Sequence, residues 1–232
     1  MKSLIEKLKG RLIVSCQALP GNALRPSSCI SAMAEAAMLG GAGAIRANGV
    51  EDILAIVRRV SIPVIGINKT AIDPDYPYIT PDFEHAQEIA ALGIDMIAID
   101  ATLRPRRDGK SPSELIYRIK NELHLPVMAD IATLEEGIAA AAAGADVVAT
   151  TMSGYTAGRK RTEGPDIELV RELCAHIQCP VIAEGRYISS EDADNGFSAG
   201  AHAVVIGKAI TNPEFITRRI ISSSRYLNRG TM

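Results

Sequence analysis

The 232-residue chain contains no tryptophan, only three phenylalanines and only six tyrosines. Since 47% of its residues are nevertheless hydrophobic, a large core must be built from Ala, Val, Ile and Leu. No stretch approaches the ~18 consecutive apolar residues that span a membrane. Charges interrupt the first ten residues every few positions, so this segment lacks the apolar run of a signal peptide. We therefore expect no membrane partner and a cytoplasmic location.

The chain also carries no large excess of positive or negative charge. The 25 Lys and Arg residues against 27 Asp and Glu residues leave a net charge of −2, which predicts no nucleic-acid partner. The four cysteines, Cys16, Cys29, Cys174 and Cys179, form no Cys-x-x-Cys pair and have no histidine at metal-ligand spacing. This pattern predicts reduced thiols and no metal site.

Eight short apolar segments recur along the chain, with a helical pattern in nearly every gap. They are residues 12–17, 44–47, 64–69, 96–100, 127–130, 147–151, 181–184 and 203–207. Four are introduced by similar glycine phrases, at Gly41, Gly93, Gly144 and Gly200, where glycine ends a helix in a left-handed turn. Alternating strands and helices predict an α/β protein, a single-domain (β/α)8 TIM barrel over residues 1–232. A short N-terminal amphipathic helix would cap one mouth.

An open doubly wound sheet is the alternative fold. It would usually carry a Gly-x-Gly-x-x-Gly turn after the first strand, and residues 15–18 read SCQA instead.

The sequence predicts the first residues of four helices. Ser111 with Glu114 and Thr133 with Glu136 form capping boxes. The pairs Thr80-Pro81 and Asn212-Pro213 predict a cap followed by proline at the first helical position.

Polar residues stand at the end of every predicted strand, where a barrel carries its active site. They are Gln17, Arg46, Lys69, Asp100 with Thr102, Asp130, Thr150 with Thr151, Glu184, and Gly207 with Lys208. Each has a structural alternative: Asp100 could cap a helix, Arg46 and Asp130 could form a purely structural ion pair, and Lys69 could reach solvent. Together they indicate a functional site.

Two loops suggest a phosphorylated ligand. Barrels often bind phosphate with the loops after the seventh and eighth strands, which here read Gly185-Arg186 and Gly207-Lys208. Glycine lets backbone amides approach an anion, and each cation adds charge.

Lys69 and Glu184 are the candidates for proton transfer, because no Ser-His-Asp or Cys-His arrangement competes with them. A Schiff base on Lys69 is the alternative. It is disfavoured because Glu184 and Asp130 are expected to keep the lysine protonated.

Seven segments at the predicted strand ends, taken in order, resemble the N-acetylmannosamine-6-phosphate 2-epimerase family. They are VSCQAL (14–19), IRANG (45–49), IGINK (65–69), DATLRPR (100–106), MAD (128–130), TTMSGYT (150–156) and AEGR (183–186). The resemblance covers essentially the whole chain. It implies a barrel of the ribulose-phosphate-binding type that interconverts N-acetylmannosamine 6-phosphate and N-acetylglucosamine 6-phosphate in sialic acid catabolism. It also implies no cofactor and a homodimer.

The resemblance assigns catalysis to Lys69 and Glu184. It assigns substrate binding to Gln17, Arg46 and Asp130, and Tyr155 in the segment TTMSGYT is a further candidate for substrate binding. The last phosphate loop departs from the family: residues 207–213 read GKAITNP, where the family commonly has an arginine before the proline. We interpret Lys208 as a relocated cation.

The family's chemistry is removal of the C2 proton, which is α to the C1 aldehyde of the open-chain sugar, and its return on the other face. As a base, Lys69 would need desolvation or a nearby cation such as Arg46, because its ordinary pKa is ~10.4. Gln17 and Arg46 are expected to bind the N-acetyl group or the enolate oxygen. Asp130 is expected to assist ring opening or to orient Lys69.

Three rival functions remain open from the sequence. They are another phosphosugar barrel enzyme such as an aldolase or a 3-epimerase, a non-catalytic sugar-phosphate-binding protein, and a purely structural barrel.

Overall fold

A computed structural model describes residues 3–18 and 21–227. Leu19, the last residue of the first family-like segment, lies outside these residues, as do Met1 and Lys2 of the N-terminal segment. Eight parallel strands form a closed barrel in which each strand pairs with the next and the eighth with the first. The strands are β1 (Arg11–Cys16), β2 (Ala44–Asn48), β3 (Val64–Ile67), β4 (Met96–Asp100), β5 (Val127–Asp130), β6 (Val147–Ala149), β7 (Val181–Glu184) and β8 (Ala203–Ile206). The predicted (β/α)8 barrel is confirmed, and the open sheet is excluded.

At least one helix follows every strand. The helices are α1 (Leu4–Leu8), α2 (Ser27–Leu39), α3 (Val50–Val57), α4 (Phe83–Ala90), α5 (Pro112–Arg118), α6 (Leu134–Ala142), α7 (Ile167–His176), α8 (Ser190–Ser198), α9 (Lys208–Thr211) and α10 (Pro213–Ser223). The chain continues α5 as a π-helical turn, Ile119–Leu123. Among the described residues, no helix is both long and apolar enough to cross a bilayer.

The core has two layers, one between strands and helices and one inside the barrel. Ile13, Ile65, Met96 and Ile182 fill the interior and are fully buried, so the barrel is a packed core and not a pore. The predicted N-terminal helix is confirmed as α1, whose fully buried Leu8 packs against this interior layer. The amino end of the barrel is thereby plugged.

Most of the predicted helix signals are confirmed. Ser111 and Thr133 make full capping boxes, and Asn212 caps α10 with Pro213 at its first turn. The prediction at Thr80 is wrong: the N-cap of α4 is Asp82. The Thr80 hydroxyl instead donates to Ala98 O at 2.8 Å, so this residue ties the loop after β3 to β4.

The four glycine phrases behave as predicted. Gly41, Gly93, Gly144 and Gly200 all have positive φ values, between 85° and 105°, which glycine tolerates without strain. The four cysteines form no disulfide among the described residues.

Two strands end two residues earlier than predicted, and the eighth ends one residue earlier, at Ile206. The third ends at Ile67, and Lys69 pairs instead with Ile79 in an isolated antiparallel bridge, because the loop after β3 folds back on itself. The sixth ends at Ala149, and a 3₁₀ turn (Thr150–Met152) follows. Both changes place polar side chains above the barrel mouth.

Candidate active site

A cavity of about 210 Å³ opens at the carboxyl ends of the strands. Nine predicted site residues line it: Gln17, Arg46, Lys69, Tyr155, Glu184, Gly185, Arg186, Gly207 and Lys208. The tenth, Asp130, is fully buried and is not part of the lining. The cavity continues outward into a wider opening bordered by Asn22, Ile72 and Asn212. The residues predicted from the sequence therefore lie together at one end of the barrel.

Arg46 on β2 crosses the barrel to meet two carboxylates. Its Nη1 donates to Asp130 Oδ1 at 3.0 Å and to Glu184 Oε2 at 2.7 Å, and its Nη2 makes a short contact with Asp130 Oδ2. Burial alone would lower the pKa of Arg46, but Asp130 and Glu184 outweigh it and raise the pKa. Arg46 is therefore a permanent cation at the floor of the cavity.

Asp130 lies beneath the cavity rather than in it. It accepts bonds from Arg46 and from the Thr151 hydroxyl, the latter at 2.6 Å. The ion pair considered from the sequence exists, yet Arg46 also faces the cavity, so the structural and functional interpretations do not exclude each other. Direct substrate binding by Asp130 stays a prediction.

Lys69 is held from both ends. Its backbone N–H donates to Asn48 Oδ1 at 2.9 Å, and its Nζ donates to Gln17 Oε1 at 2.7 Å. Gln17 is in turn oriented by its Nε2, which donates to Ser15 Oγ at 2.7 Å. Gln17 therefore positions the ammonium group.

The pKa of Lys69 falls to about 8 because burial and then the Arg46 cation outweigh the opposing effects of Glu184 and Asp130. Both conditions that Lys69 needs in order to act as a base are thus met. Glu184 and Asp130 raise the pKa of Lys69 as expected, but counting charges neglected burial, so the net shift is downward.

Glu184 is anchored through its backbone and one carboxylate oxygen. Its N–H donates to Thr150 Oγ1 at 3.0 Å, while Oε2 accepts from Arg46 and lies 3.1 Å from Thr151 Oγ1. The other oxygen, Oε1, has no hydrogen-bond partner among the described residues and is open to the cavity. Burial first, and then Asp130, raises the pKa of Glu184 against the effect of Arg46.

The cations of the two predicted phosphate loops, Arg186 and Lys208, have different surroundings. The guanidinium of Arg186 donates to Ser153 O at 2.7 Å, Gly164 O at 2.8 Å and Thr162 Oγ1 at 2.9 Å, so it holds the segment after β6. Lys208 is exposed, with Nζ 4.6 Å from the Phe215 ring centroid. Within the described part of the chain, Lys208 pairs with no carboxylate.

Tyr78 was missed from the sequence because it lies in the fold-back loop after β3. It lines the cavity, and its hydroxyl lies 3.7 Å from Met152 Sδ, a weak acceptor. Burial raises the pKa of Tyr78 to about 12, so the phenol keeps its proton. It is a neutral donor available to a ligand.

The helix-cap interpretation of Asp100 is wrong, since Ser111 caps the next helix. Asp100 is fully buried and accepts from Arg104 Nη2 at 2.6 Å and from Thr102 Oγ1 at 2.7 Å. Arg104 Nη1 donates to Asp73 O at 3.2 Å. This network fastens the loop that carries Tyr78.

Comparisons with known proteins agree on one family. A family model described as "Putative N-acetylmannosamine-6-phosphate epimerase" matches residues 30–225. A relative from Caldanaerobacter subterraneus subsp. tengcongensis is 47% identical over 229 residues, 97% of each chain. One from Cutibacterium acnes is 45% identical over 216 residues, 92% of this chain and 93% of the relative. Both are named "Putative N-acetylmannosamine-6-phosphate 2-epimerase".

A solved N-acetylmannosamine-6-phosphate 2-epimerase from Clostridium perfringens has a TM-score of 0.91 at 42% identity, covering 95% of this chain and 96% of that one. A thiamine phosphate pyrophosphorylase from Pyrococcus furiosus, with a TM-score of 0.61 at 17% identity over 93% of each chain, shares the fold alone. On these matches, together with the strand-end segments that already resembled it, the chain belongs to the N-acetylmannosamine-6-phosphate 2-epimerase family.

Proposed function

We propose that this protein, an isomerase of that family, inverts C2 of N-acetylmannosamine 6-phosphate with Lys69 and Glu184 as its proton-transfer pair. One observation carries the proposal. An amine with a lowered pKa and a carboxyl group with a raised pKa line the same cavity. Shifts of this kind match an acid and a base to work near neutral pH.

The reaction needs no net oxidation. In the open-chain sugar, one member of the pair removes the C2 proton, and the electrons of the C–H bond move towards the C1 aldehyde to give an enolate. The other member then donates a proton to the opposite face of C2, and the aldehyde re-forms. In the reverse direction the two groups exchange roles, as microscopic reversibility requires.

Hydrogen-bond donors on the cavity wall stabilise the enolate. Arg46 supplies a fixed positive charge, while Gln17 and Tyr78 supply neutral donors for the enolate oxygen or the N-acetyl group. Asp130 acts through Arg46, since it is fully buried beneath the guanidinium. Tyr155, with 42% of its surface exposed, borders the outer part of the cavity and would contact the sugar.

The phosphate group is assigned to the loops at Gly185 and Gly207, both of which line the cavity. Gly185 has φ +111°, a conformation that other residues rarely adopt. Lys208 supplies the counter-charge. Arg186 contributes mainly by ordering the loop that it binds.

We assign the whole chain, residues 1–232, to one catalytic domain that works as a homodimer. Helix α10 contributes no buried residue, and its Ile220 and Ile221 are 56% and 41% exposed. Sedimentation velocity should show a dimer that Ile220→Glu weakens, whereas Ser222→Glu on the same helix should not. A monomer at all concentrations would refute the dimer.

The test of function is proton NMR with N-acetylmannosamine 6-phosphate in deuterated water. We expect the gluco epimer to appear carrying deuterium at C2, and the signal to be lost in Lys69→Ala and Glu184→Gln. A folded wild type that gives neither epimer nor exchange, with or without divalent metal, would rule out the epimerase. A Lys69 adduct trapped by borohydride would favour an aldolase instead.

A further inference from the structure

The Thr151 side chain lies between two carboxylates. Its Oγ1 is 2.6 Å from Asp130 Oδ1 and 3.1 Å from Glu184 Oε2, both within hydrogen-bond distance. Thr151 follows β6, whereas its two neighbours come from β5 and β7. One hydroxyl therefore joins three adjacent strands at the wall of the cavity.

A hydroxyl group has one proton to donate and can accept through its lone pairs. When both carboxylates are ionised, it can satisfy only one of them. When Glu184 is ionised, the Thr151 proton can be donated to its Oε2. When Glu184 instead carries a proton on Oε1, the oxygen open to the cavity, Oε2 becomes a weaker acceptor and the Thr151 proton turns to Asp130. A rotation about the Cβ–Oγ1 bond converts the first arrangement into the second.

The remaining contacts decide which carboxylate changes state. Asp130 receives a bidentate bond from Arg46 and keeps it in either arrangement, whereas Glu184 receives only one bond from Arg46. Glu184 is also the carboxylate with an oxygen open to the cavity. The group that gains and loses a proton is therefore Glu184, with Asp130 as the fixed anion.

We propose that Thr151 is a positioning residue whose single hydroxyl proton switches between Asp130 and Glu184 Oε2, so that Oε1 stays aimed at the sugar in both protonation states of Glu184. This inference rests on the proposed role of Glu184 in proton transfer. It assigns to Thr151 no direct contact with the reacting atoms.

The hydroxyl acts on the pH profile in a defined direction. The charged groups facing Glu184 are Arg46 from β2, Lys69 after β3 and Asp130 from β5, and the cations Arg186 and Lys208 also line the cavity. Against this background, the Thr151 bond to the ionised carboxylate lowers the pKa of Glu184. Its removal should raise that pKa and move the acid limb of kcat/KM to higher pH.

The experiment compares two substitutions of nearly equal shape. Thr151→Val removes the hydroxyl and keeps the branched side chain, while Thr151→Ser keeps the hydroxyl. We expect Thr151→Val to lower kcat about 10–100-fold, the loss of a charge-assisted hydrogen bond, with KM changed less than about twofold and the acid limb displaced upward. Thr151→Ser should retain a wild-type acid limb and most of kcat.

Thr156→Val is the matched control, since the Thr156 hydroxyl is buried without a partner in the described structure. It should leave kcat and the pH profile unchanged. The substrate phosphate titrates alike in every variant, so only a difference between variants reports on Glu184.

The proposal is overturned if Thr151→Val keeps the wild-type kcat and acid limb, or if Thr151→Ser is as impaired as Thr151→Val. If Thr151→Val does not fold, Thr151→Cys, a weaker donor, should show the same upward displacement, and a wild-type limb in that variant overturns the proposal. An active Glu184→Gln variant would instead remove the proposed role of Glu184 itself, so the two failures are distinguishable.

Discussion

Arg46 and Asp130 form a bidentate ion pair from which water is excluded, with side chains 1% and 0% exposed. Such a pair is costly to bury and still more costly to break, because a lone buried charge has no compensation. Arg46 also forms an ion pair with Glu184, so a substitution of Arg46 removes a partner from the proposed catalytic carboxylate as well.

Arg46→Met should therefore destabilise the protein by about 3–5 kcal/mol and abolish activity. Adding Asp130→Asn should recover part of that loss, because it removes the uncompensated carboxylate. Urea unfolding of the single and double variants measures both effects. A double variant no more stable than Arg46→Met would contradict this account.

Lys69→Met should abolish activity yet stabilise the fold at neutral pH. Folding lowers the pKa of Lys69 from 10.5 to about 8, so the buried charge opposes folding below pH 8 by up to about 3 kcal/mol. Between pH 8 and 10.5 the unfolded state binds more protons, so wild-type stability rises with pH and the gap to the variant narrows. Chemical unfolding at several pH values tests this.

Lys120→Met, at a partly exposed lysine paired with Asp146, is the control and should give no such gain. A Lys69→Met variant less stable than wild type at pH 7 would show that the Gln17 bond outweighs the cost of burial.

The pH dependence of kcat/KM should have an alkaline limb near pH 8 in both directions of the reaction. Each direction needs one proton shared between Lys69 and Glu184, and that proton is lost as Lys69 titrates at about 8. Rates measured with each epimer should give the same limb. An alkaline limb near the ordinary lysine value of ~10.4 would contradict a Lys69 base.

Lys208→Ala should impair substrate binding, whereas Arg186→Ala should impair stability and turnover. Loss of the Lys208 charge should raise KM about tenfold and weaken the salt dependence of binding, with kcat nearly unchanged. Loss of Arg186 frees the segment held through Ser153 and Gly164, so it should lower thermal stability as well as kcat. Steady-state kinetics and thermal unfolding separate the two.

Lys9→Ala, an exposed change beside α1 at the opposite end of the barrel, should alter neither constant. An unchanged KM in Lys208→Ala would mean that backbone amides bind the phosphate without this cation.

Tyr78→Phe should lower kcat/KM about tenfold, because it removes one neutral donor and keeps the ring beneath Arg104. Tyr117→Phe, at a residue 65% exposed on α5, should have no effect. Equal activity of both variants would exclude the Tyr78 hydroxyl from the substrate contacts.

The sequence was enough to predict the barrel and to place most of the candidate site residues around one cavity, because parallel strands bring their carboxyl ends to one mouth whatever the helices do. Polar residues such as Arg46 and Glu184 at those ends had to meet. Their depth was not predictable: Asp130 is fully buried and Lys69 stands in a loop that folds back. The partners of Arg186 and the position of Tyr78 depend on loop conformation, which strand periodicity does not encode.

Helix α1 closes the amino end of the barrel, and Leu8 seals it. In the part of the chain that the structure describes, the cavity therefore opens at the carboxyl ends of the strands and not at the amino end, so product leaves through the opening that the next substrate needs. Each epimer should then act as a competitive inhibitor of the other's conversion, and the rate of turnover should follow the ratio of the two sugars as well as their concentration.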